Sequence, residues 1–308
     1  MTNQVEAIVQ DYMGVSPSKI TSLGGGFYGR VFLAEIPTEP QKIVVKLYLF
    51  HDLAPQEAKQ LEVLSKYAIV PMPKVLYIHY ANENTSNDAI VMSYIQGHNV
   101  GNSGSKIREK HRLTIANQII DNLIAYHSAV NPNGFGHIGA SSFFPEWKDF
   151  YRIKADSGAE KAKAMYKENK IDRYIFETIQ KSHALFDKIF YLPIAKACLI
   201  HGDYNTWNIL MDSNFENLSG AIDPFGCCWA DSELDLYQLN NANGKQLGLL
   251  DLYKSKIPLS ENFELKMSFY ELYSEITHFH DAGVNINHSQ MTATARQLRQ
   301  QIEIFGLE

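Results

Sequence analysis

Apolar residues fall along the chain in two rhythms, and the change between them divides it. Over residues 3–13, Val5, Ile8, Val9 and Tyr12 return every three or four positions, the spacing that puts one apolar stripe on a helix. Short runs rich in β-branched and aromatic residues then take over at 31–36, 42–49, 70–78 and 89–95, and each reads as a strand. Pro37 ends the first run, and a polar loop at 81–88 separates the last two. One helix interrupts them at 55–67, with Ala58, Leu61, Leu64 and Ala68 as its stripe. Gly97 and the Gly/Ser/Asn-rich stretch 99–105 close this strand-rich part.

Beyond it the helical rhythm dominates. A long helix is expected over 106–130, with Leu113, Ala116, Ile120, Leu123, His127 and Val130 at helical spacing. His127 lies on that apolar stripe, which favours a hydrogen-bonded core histidine over a catalytic one. A turn-rich loop follows at 131–139, then a charged pair of helices over 158–190, the start of another helix at 229–236, and a helix at 260–282. The last carries Tyr270, Glu271, Tyr273 and Glu275, a face that either lines a pocket for an amine or a sugar or is simply solvated. His278 and His280 stand two apart, so a helix points them away from each other and no zinc site is expected. The pattern predicts an α+β chain of two lobes. Residues 1–97 form a small antiparallel sheet with one helix, and residues 98–308 form a larger, mostly helical lobe.

Composition narrows the partners. The chain has 308 residues, room for two lobes with full cores. A net charge of −6 argues against a nucleic-acid surface and suits a cationic small molecule. The three cysteines, Cys198, Cys227 and Cys228, are odd in number with two adjacent, which does not suit a disulfide framework and points to a reducing, cytoplasmic setting. No apolar run approaches the length of a membrane span, and the acidic start lacks a signal peptide's basic region. Oligomeric state is not legible.

Candidate chemistry gathers in residues 199–223. Asp203 and Asn208 stand five apart, and Asp223 ends the next apolar run. A phosphotransferase loop needs this set: one Asp to take the proton of the attacking hydroxyl, and an amide with a second carboxylate to hold magnesium against nucleotide phosphates. A polar hairpin with Asn208 and Asp223 in its turns would show the same residues. Upstream, Gly24, Gly26 and Gly29 fit G-x-G-x-x-G between two strands rather than before a helix, the context of a flap over phosphates, or of a glycine-rich hairpin without a ligand. Lys46 interrupts an apolar strand, where an ammonium needs an anion, either a phosphate or a helix carboxylate. Glu57 lies at the edge of the helix stripe and Glu62 toward solvent, so Glu57 is the better partner. Met92, Tyr94 and Ile95, at the end of the last strand, are placed to offer backbone groups to an adenine ring.

In this order the elements resemble a kinase-like fold. His201-Gly202-Asp203 resembles the catalytic loop of the aminoglycoside phosphotransferase superfamily. Ile222-Asp223-Pro224, Glu233-Leu234-Asp235-Leu236, Asn133-Gly134-Phe135-Gly136 and the segment Trp147 to Tyr151 are similar to its fructosamine (ketosamine) kinase branch. The similarity spans residues 18–240. It implies a two-lobed protein-kinase-like fold and an enzyme that moves the γ-phosphate of ATP, with Mg2+, to a sugar-like hydroxyl, most plainly of a ketosamine. Asp203 would be the base, Asn208 and Asp223 the metal ligands, and Lys46 with Glu57 the phosphate clamp; Asp235, by its own place after the central stretch, reads as a structural bond to the catalytic-loop backbone rather than a direct actor. Two departures, the glycine pattern at 24–29 and Tyr204-Asn205 after the base, bear on the substrate rather than the phosphoryl transfer. An aminoglycoside or amino-alcohol kinase would use the same machinery and differ at 140–190 and 260–285. A nucleotide-binding module without turnover is the reading from another class.

Overall fold

The computed structural model describes residues 1–282 and 287–307. Residues 283–285 of the predicted substrate segment therefore lie outside the described residues. Contacts divide the chain into two units, Met1–Tyr126 with Thr206–Gly226, and His127–Asn205 with Cys227–Glu308.

In the first unit, α1 (Thr2–Met13) has no side-chain cap at its start and ends at Gly14 in the left-handed region. Its stability comes from burying Val5, Ile8 and Val9, each contributing roughly 1.5–3 kcal/mol, against Phe32, Ala34, Ile43, Val45 and Val91. Those residues belong to a five-stranded sheet made of β1 (Lys19–Gly25), β2 (Gly29–Glu35), β3 (Lys42–Tyr48), β4 (Val75–His79) and β5 (Ala89–Ser93). The order is β1-β2-β3-β5-β4, and every pairing is antiparallel. Helix α2 (Leu53–Leu64) connects β3 to β4. The run at 70–78 pairs only from Val75, because Pro71 and Pro73 have no N–H to give the ladder.

The same unit holds a two-stranded ribbon, Ile209–Met211 against Leu218–Ala221, extended by His98–Asn99. Ala221 N–H donates to the Pro71 carbonyl at 3.0 Å. That approach requires glycine beside it: a Cβ on Gly220 would stand 2.8 Å from the same carbonyl. The helix Glu109–Ser128 buries Ile115, Ala116, Ile119, Ile120 and Leu123. Leu113, expected on that stripe, is 67 % exposed, since the buried face centres on Ile115, Ile119, Leu123 and Tyr126 and leaves Leu113 to one side.

The second unit is mainly helical. Helices Trp147–Lys167, Arg173–Ala184, Phe263–Ala282 and His288–Ile304 share a core of Tyr151, Ala155, Ile175, Phe269, Tyr273 and Leu298. A small sheet pairs Cys228–Ala230 with Gly136–His137 on one side and Cys198–Leu199 on the other. Residues 229–236, expected to begin a helix, instead finish this strand and then enter a 3-10 helix, Ser232–Asn240. Asp231 is the switch point, its carboxylate capping the N–H of Glu233. Among the described residues no helix is long and apolar enough to cross a membrane.

Candidate active site

The expected site residues fall in both units, and each set has its own geometry. In the first unit, β1 and β2 meet at a glycine hairpin. A Cβ on Gly25 would lie 2.4 Å from the Gly29 carbonyl, and one on Gly29 would lie 2.6 Å from the Leu47 carbonyl, so both are excluded by backbone. At Gly26, by contrast, a Cβ would meet nothing. Gly25 is thus a required glycine that the G-x-G-x-x-G pattern does not contain. Arg30 donates to the carbonyls of Gly26 and Gly29 and ties the turn down.

Next to β2 in the sheet, β3 carries Lys46 into the unit's interior. Its Nζ lies 2.6 Å from Glu57 Oε2 and 2.5 Å from Asp223 Oδ1. Burial alone would lower the Lys46 ammonium, but the Glu57 and Asp223 charges outweigh it and hold it above its ordinary value. Glu57 is pushed up by burial, with Lys46 pulling the other way. Glu62 sits on the surface between Lys59 and Lys66, at 2.9 and 3.0 Å.

Asn208 and Asp223 lie at the open end of the ribbon, joined there by a bond from Ile222 N–H to the Asn208 carbonyl at 2.9 Å. Asn208 is buried, whereas the Asp223 side chain is 49 % exposed and its backbone is left-handed at φ 57°. No three His, Cys, Asp or Glu side chains gather as a metal group among the described residues. An amide and a half-exposed carboxylate fit a hard cation that completes its shell from phosphate and water. At the other expected contact, Met92 is buried in β5, Tyr94 stacks under Lys42 Nζ at 5.7 Å, and Ile95 packs against Gly220.

The second unit holds Asp203. Its Oδ1 accepts from Asn205 Nδ2 at 2.7 Å, and its carbonyl accepts from Asn205 N–H at 2.9 Å, so a residue two positions on fixes the carboxylate's plane. Behind it, Asp235 spends both oxygens on loop backbone: Oδ2 accepts from His201 N–H and Oδ1 from Gly202 N–H, each at 2.8 Å. His127 is the buried, bonded histidine that its stripe implies, 3.4 Å from Asp235 and 2.8 Å from the Tyr253 hydroxyl.

Further back, Lys266 is 1 % exposed and bridges Asp231 at 2.6 Å and Glu233 at 2.8 Å. Asp231 also takes the Tyr270 hydroxyl, which itself takes Trp147 Nε1. The 3-10 segment thus points Asp231, Glu233 and Asp235 inward together. Lys266 was not among the sequence candidates. Its signal was present, because it stands on the same helical stripe as Tyr270 and Tyr273.

The aromatic and acidic residues of the helix face at 260–282 belong to this unit too, beside Tyr237. The half-buried Tyr237 hydroxyl bonds Ser274 and lies in the field of Asp203, Asp235 and Glu271, though burial is the main cause that pushes it up. Burial pushes Glu271 up to about 7, and burial with the Glu271 charge pushes Glu275 up to about 8. His280 bonds its neighbour Asp281 at 2.8 Å. All three cysteines are buried and free.

A small antiparallel sheet whose lysine is bonded to a helix carboxylate, in one chain with a helical unit that grips an Asp-bearing loop by its backbone, is a protein-kinase-like architecture, the class of phosphotransferases. The chain belongs to the phosphotransferase enzyme family, whose model matches residues 19–251. It is 25 % identical over 308 residues to the chloroplastic protein-ribulosamine 3-kinase of Arabidopsis thaliana, covering 96 % of this chain and 87 % of that one. It is also 23 % identical over 254 residues to the uncharacterized protein YcbJ of Escherichia coli K12, covering 79 % and 80 %. Among solved structures, an aminoglycoside phosphotransferase APH(4)-Ia bound to ADP and hygromycin B aligns with TM-score 0.70 at 16 % identity, covering 97 % and 98 %. A putative fructosamine-3-kinase from Haemophilus somnus 129PT also aligns with TM-score 0.70, at 15 % identity, covering 98 % of each chain. These structural likenesses establish the fold.

Proposed function

We propose that the protein is an ATP-dependent small-molecule kinase that phosphorylates a sugar-like hydroxyl, with a ketosamine as acceptor. The observation that carries the transfer chemistry is Lys46, held by Glu57 and Asp223 in a sheet that ends in a glycine hairpin. The acceptor class is supported by the ribulosamine kinase relative, whose similarity runs nearly the length of the chain.

In this reading Asp203 accepts the proton of the attacking hydroxyl, with Asn205 fixing its carboxylate and Asp235 fixing the loop. Lys46 exchanges part of its bond to Asp223 for nucleotide phosphate oxygens, while Glu57 keeps it in place. The backbone N–H groups of residues 24–29 approach those oxygens because no side chains intervene. Met92, Tyr94 and Ile95 flank the base. Asn208 and Asp223 would hold Mg2+, which supplies charge neutralisation at the phosphates. The buried thiols suit a reducing, cytoplasmic compartment.

A second reading, an aminoglycoside or amino-alcohol kinase, is favoured by the paired carboxylates Glu271 and Glu275, which suit a polycationic acceptor. The test is ADP release with deoxy-morpholino-fructose, kanamycin, choline and homoserine as acceptors. Turnover with the ketosamine alone supports the first reading, and turnover with kanamycin or choline alone replaces it by the second. ATP binding without ADP release for any acceptor would favour a nucleotide-binding module.

A further inference from the structure

The tip of the glycine hairpin carries rings that the unit's core does not use. Phe27 meets Tyr28 edge to face at 4.9 Å between centroids and Phe50 at 5.1 Å. The Tyr28 ring stacks on Phe225 at 4.4 Å, with 27° between the planes. Phe50 is 46 % exposed and Phe225 is 45 % exposed, so burial of the usual kind does not account for their placement.

Local backbone does account for it. Leu49 N–H donates to the Tyr28 carbonyl at 2.9 Å, which fixes the start of β2 beside the end of β3. On the other side, Asp223 and Gly226 are both left-handed, at φ 57° and 72°. Between these two turns Phe225 is set against Tyr28, while the Asp223 carboxylate two residues earlier is set on Lys46. A ring and a carboxylate on one short loop therefore grip the hairpin tip and the strand lysine.

We infer that Tyr28 and Phe225 are positioning residues for the nucleotide, their stacked rings fastening the tip of the glycine hairpin to the Asp223 loop so that nucleotide leaves only when the rings part. This rests on the proposed function, in which the hairpin, Lys46 and Asp223 hold a nucleotide. Ring faces carry the contact through offset stacking, which an aliphatic side chain of similar bulk does not reproduce. Because both rings are partly exposed and outside the unit's core, their replacement leaves the fold intact.

The test uses the full chain with Tyr28→Leu, Phe225→Leu, the double variant, and Tyr28→Phe. Release of a fluorescent ADP analogue is followed by stopped flow, and amide exchange of residues 24–30 is followed without nucleotide. Each Leu variant is expected to release ADP faster by about two- to tenfold, the range that one aromatic stack supports. KM for ATP should rise more than kcat falls. The double variant should match the single ones, because both remove one shared contact. Tyr28→Phe, which keeps the stacking ring, should release ADP more slowly than Tyr28→Leu, and exchange in the hairpin should quicken in Phe225→Leu.

Unchanged release and exchange in the Leu variants, additive effects in the double variant, or a Tyr28→Phe that behaves like Tyr28→Leu would each overturn the inference. If the unsubstituted chain binds no ADP, the proposed function fails and the nucleotide role of the rings fails with it. Hairpin exchange then reports separately whether the rings fasten the two segments.

Discussion

Lys46 Nζ lies 2.5 Å from Asp223 Oδ1, a contact between residues 177 positions apart in the chain. It joins the central strand of the sheet to the end of the ribbon, and Glu57 at 2.6 Å completes the group. Removing the cation while leaving Glu57 buried strands a carboxylate with no opposite charge beside it, a loss on the order of 3–5 kcal/mol. Lys46→Met is therefore expected to lower the melting temperature and to abolish measurable turnover. Lys46→Met with Glu57→Gln should recover much of the melting temperature and none of the turnover. Melting curves and ADP release on the two variants check both statements.

Asp235 holds the backbone of the loop that carries the proposed base. Asp235→Asn keeps an acceptor for Gly202 N–H but sets an amide N–H against the N–H of His201. One unsatisfied buried pair costs roughly 1–3 kcal/mol. The expected result is a kcat lower by at least about tenfold with KM for ATP nearly unchanged, because the proposed nucleotide contacts lie elsewhere in the chain. A full kinetic comparison with the unsubstituted enzyme measures the split.

The hairpin separates two glycines that look alike in sequence. Gly25→Ala drives a Cβ into the Gly29 carbonyl, whereas Gly26→Ala meets open space. The first substitution should raise KM for ATP by about tenfold or more, in line with a strained turn costing on the order of 1–3 kcal/mol. The second should change KM little. Initial rates against ATP concentration suffice.

Glu271 and Glu275 give a pH dependence whose sign follows from their raised values. In the unfolded chain both ionise near an ordinary glutamate's 4.5, whereas in the folded chain they hold their protons up to about 7 and about 8. The folded state therefore binds more protons between those limits, and stability falls as pH rises from about 5 to about 8. Glu271→Gln with Glu275→Gln should flatten this part of the melting-temperature profile. A cationic acceptor that displaces those protons should bind more tightly at pH 8 than at pH 6, and calorimetry in buffers of different ionisation enthalpy would register the proton release.

Much of this architecture was legible because a charged residue in an apolar pattern must find a partner. Lys46 in its strand, Glu57 at the edge of its helix stripe and His127 on its own stripe all announced contacts of that kind. Lys266 obeys the same rule, but it lies in the last third of the chain, outside the glycine and Asp–Asn motifs. Other features have no local signature. Asn205 orients Asp203 by the turn of the loop, Gly25 is required by backbone closure, and Tyr28 meets Phe225 through a contact nearly two hundred positions long in the sequence. The 3-10 helix after Ala230 has no signature of its own, because an Asp235 that bonds the catalytic loop fits an α-helix equally well, and Asp231 and Glu233 find their partner only in Lys266. Leu113 fits its stripe by angle, yet the face that is buried runs through Ile115, Ile119, Leu123 and Tyr126 and leaves it to one side.

The central claim is that Asp203 takes the proton of the acceptor hydroxyl. The direct measurement is turnover of Asp203→Asn with the acceptor the screen identifies, alongside ATP binding by thermal shift. Turnover lower by about a hundredfold or more with ATP binding retained is the predicted result. Turnover equal to that of the unsubstituted chain would contradict it.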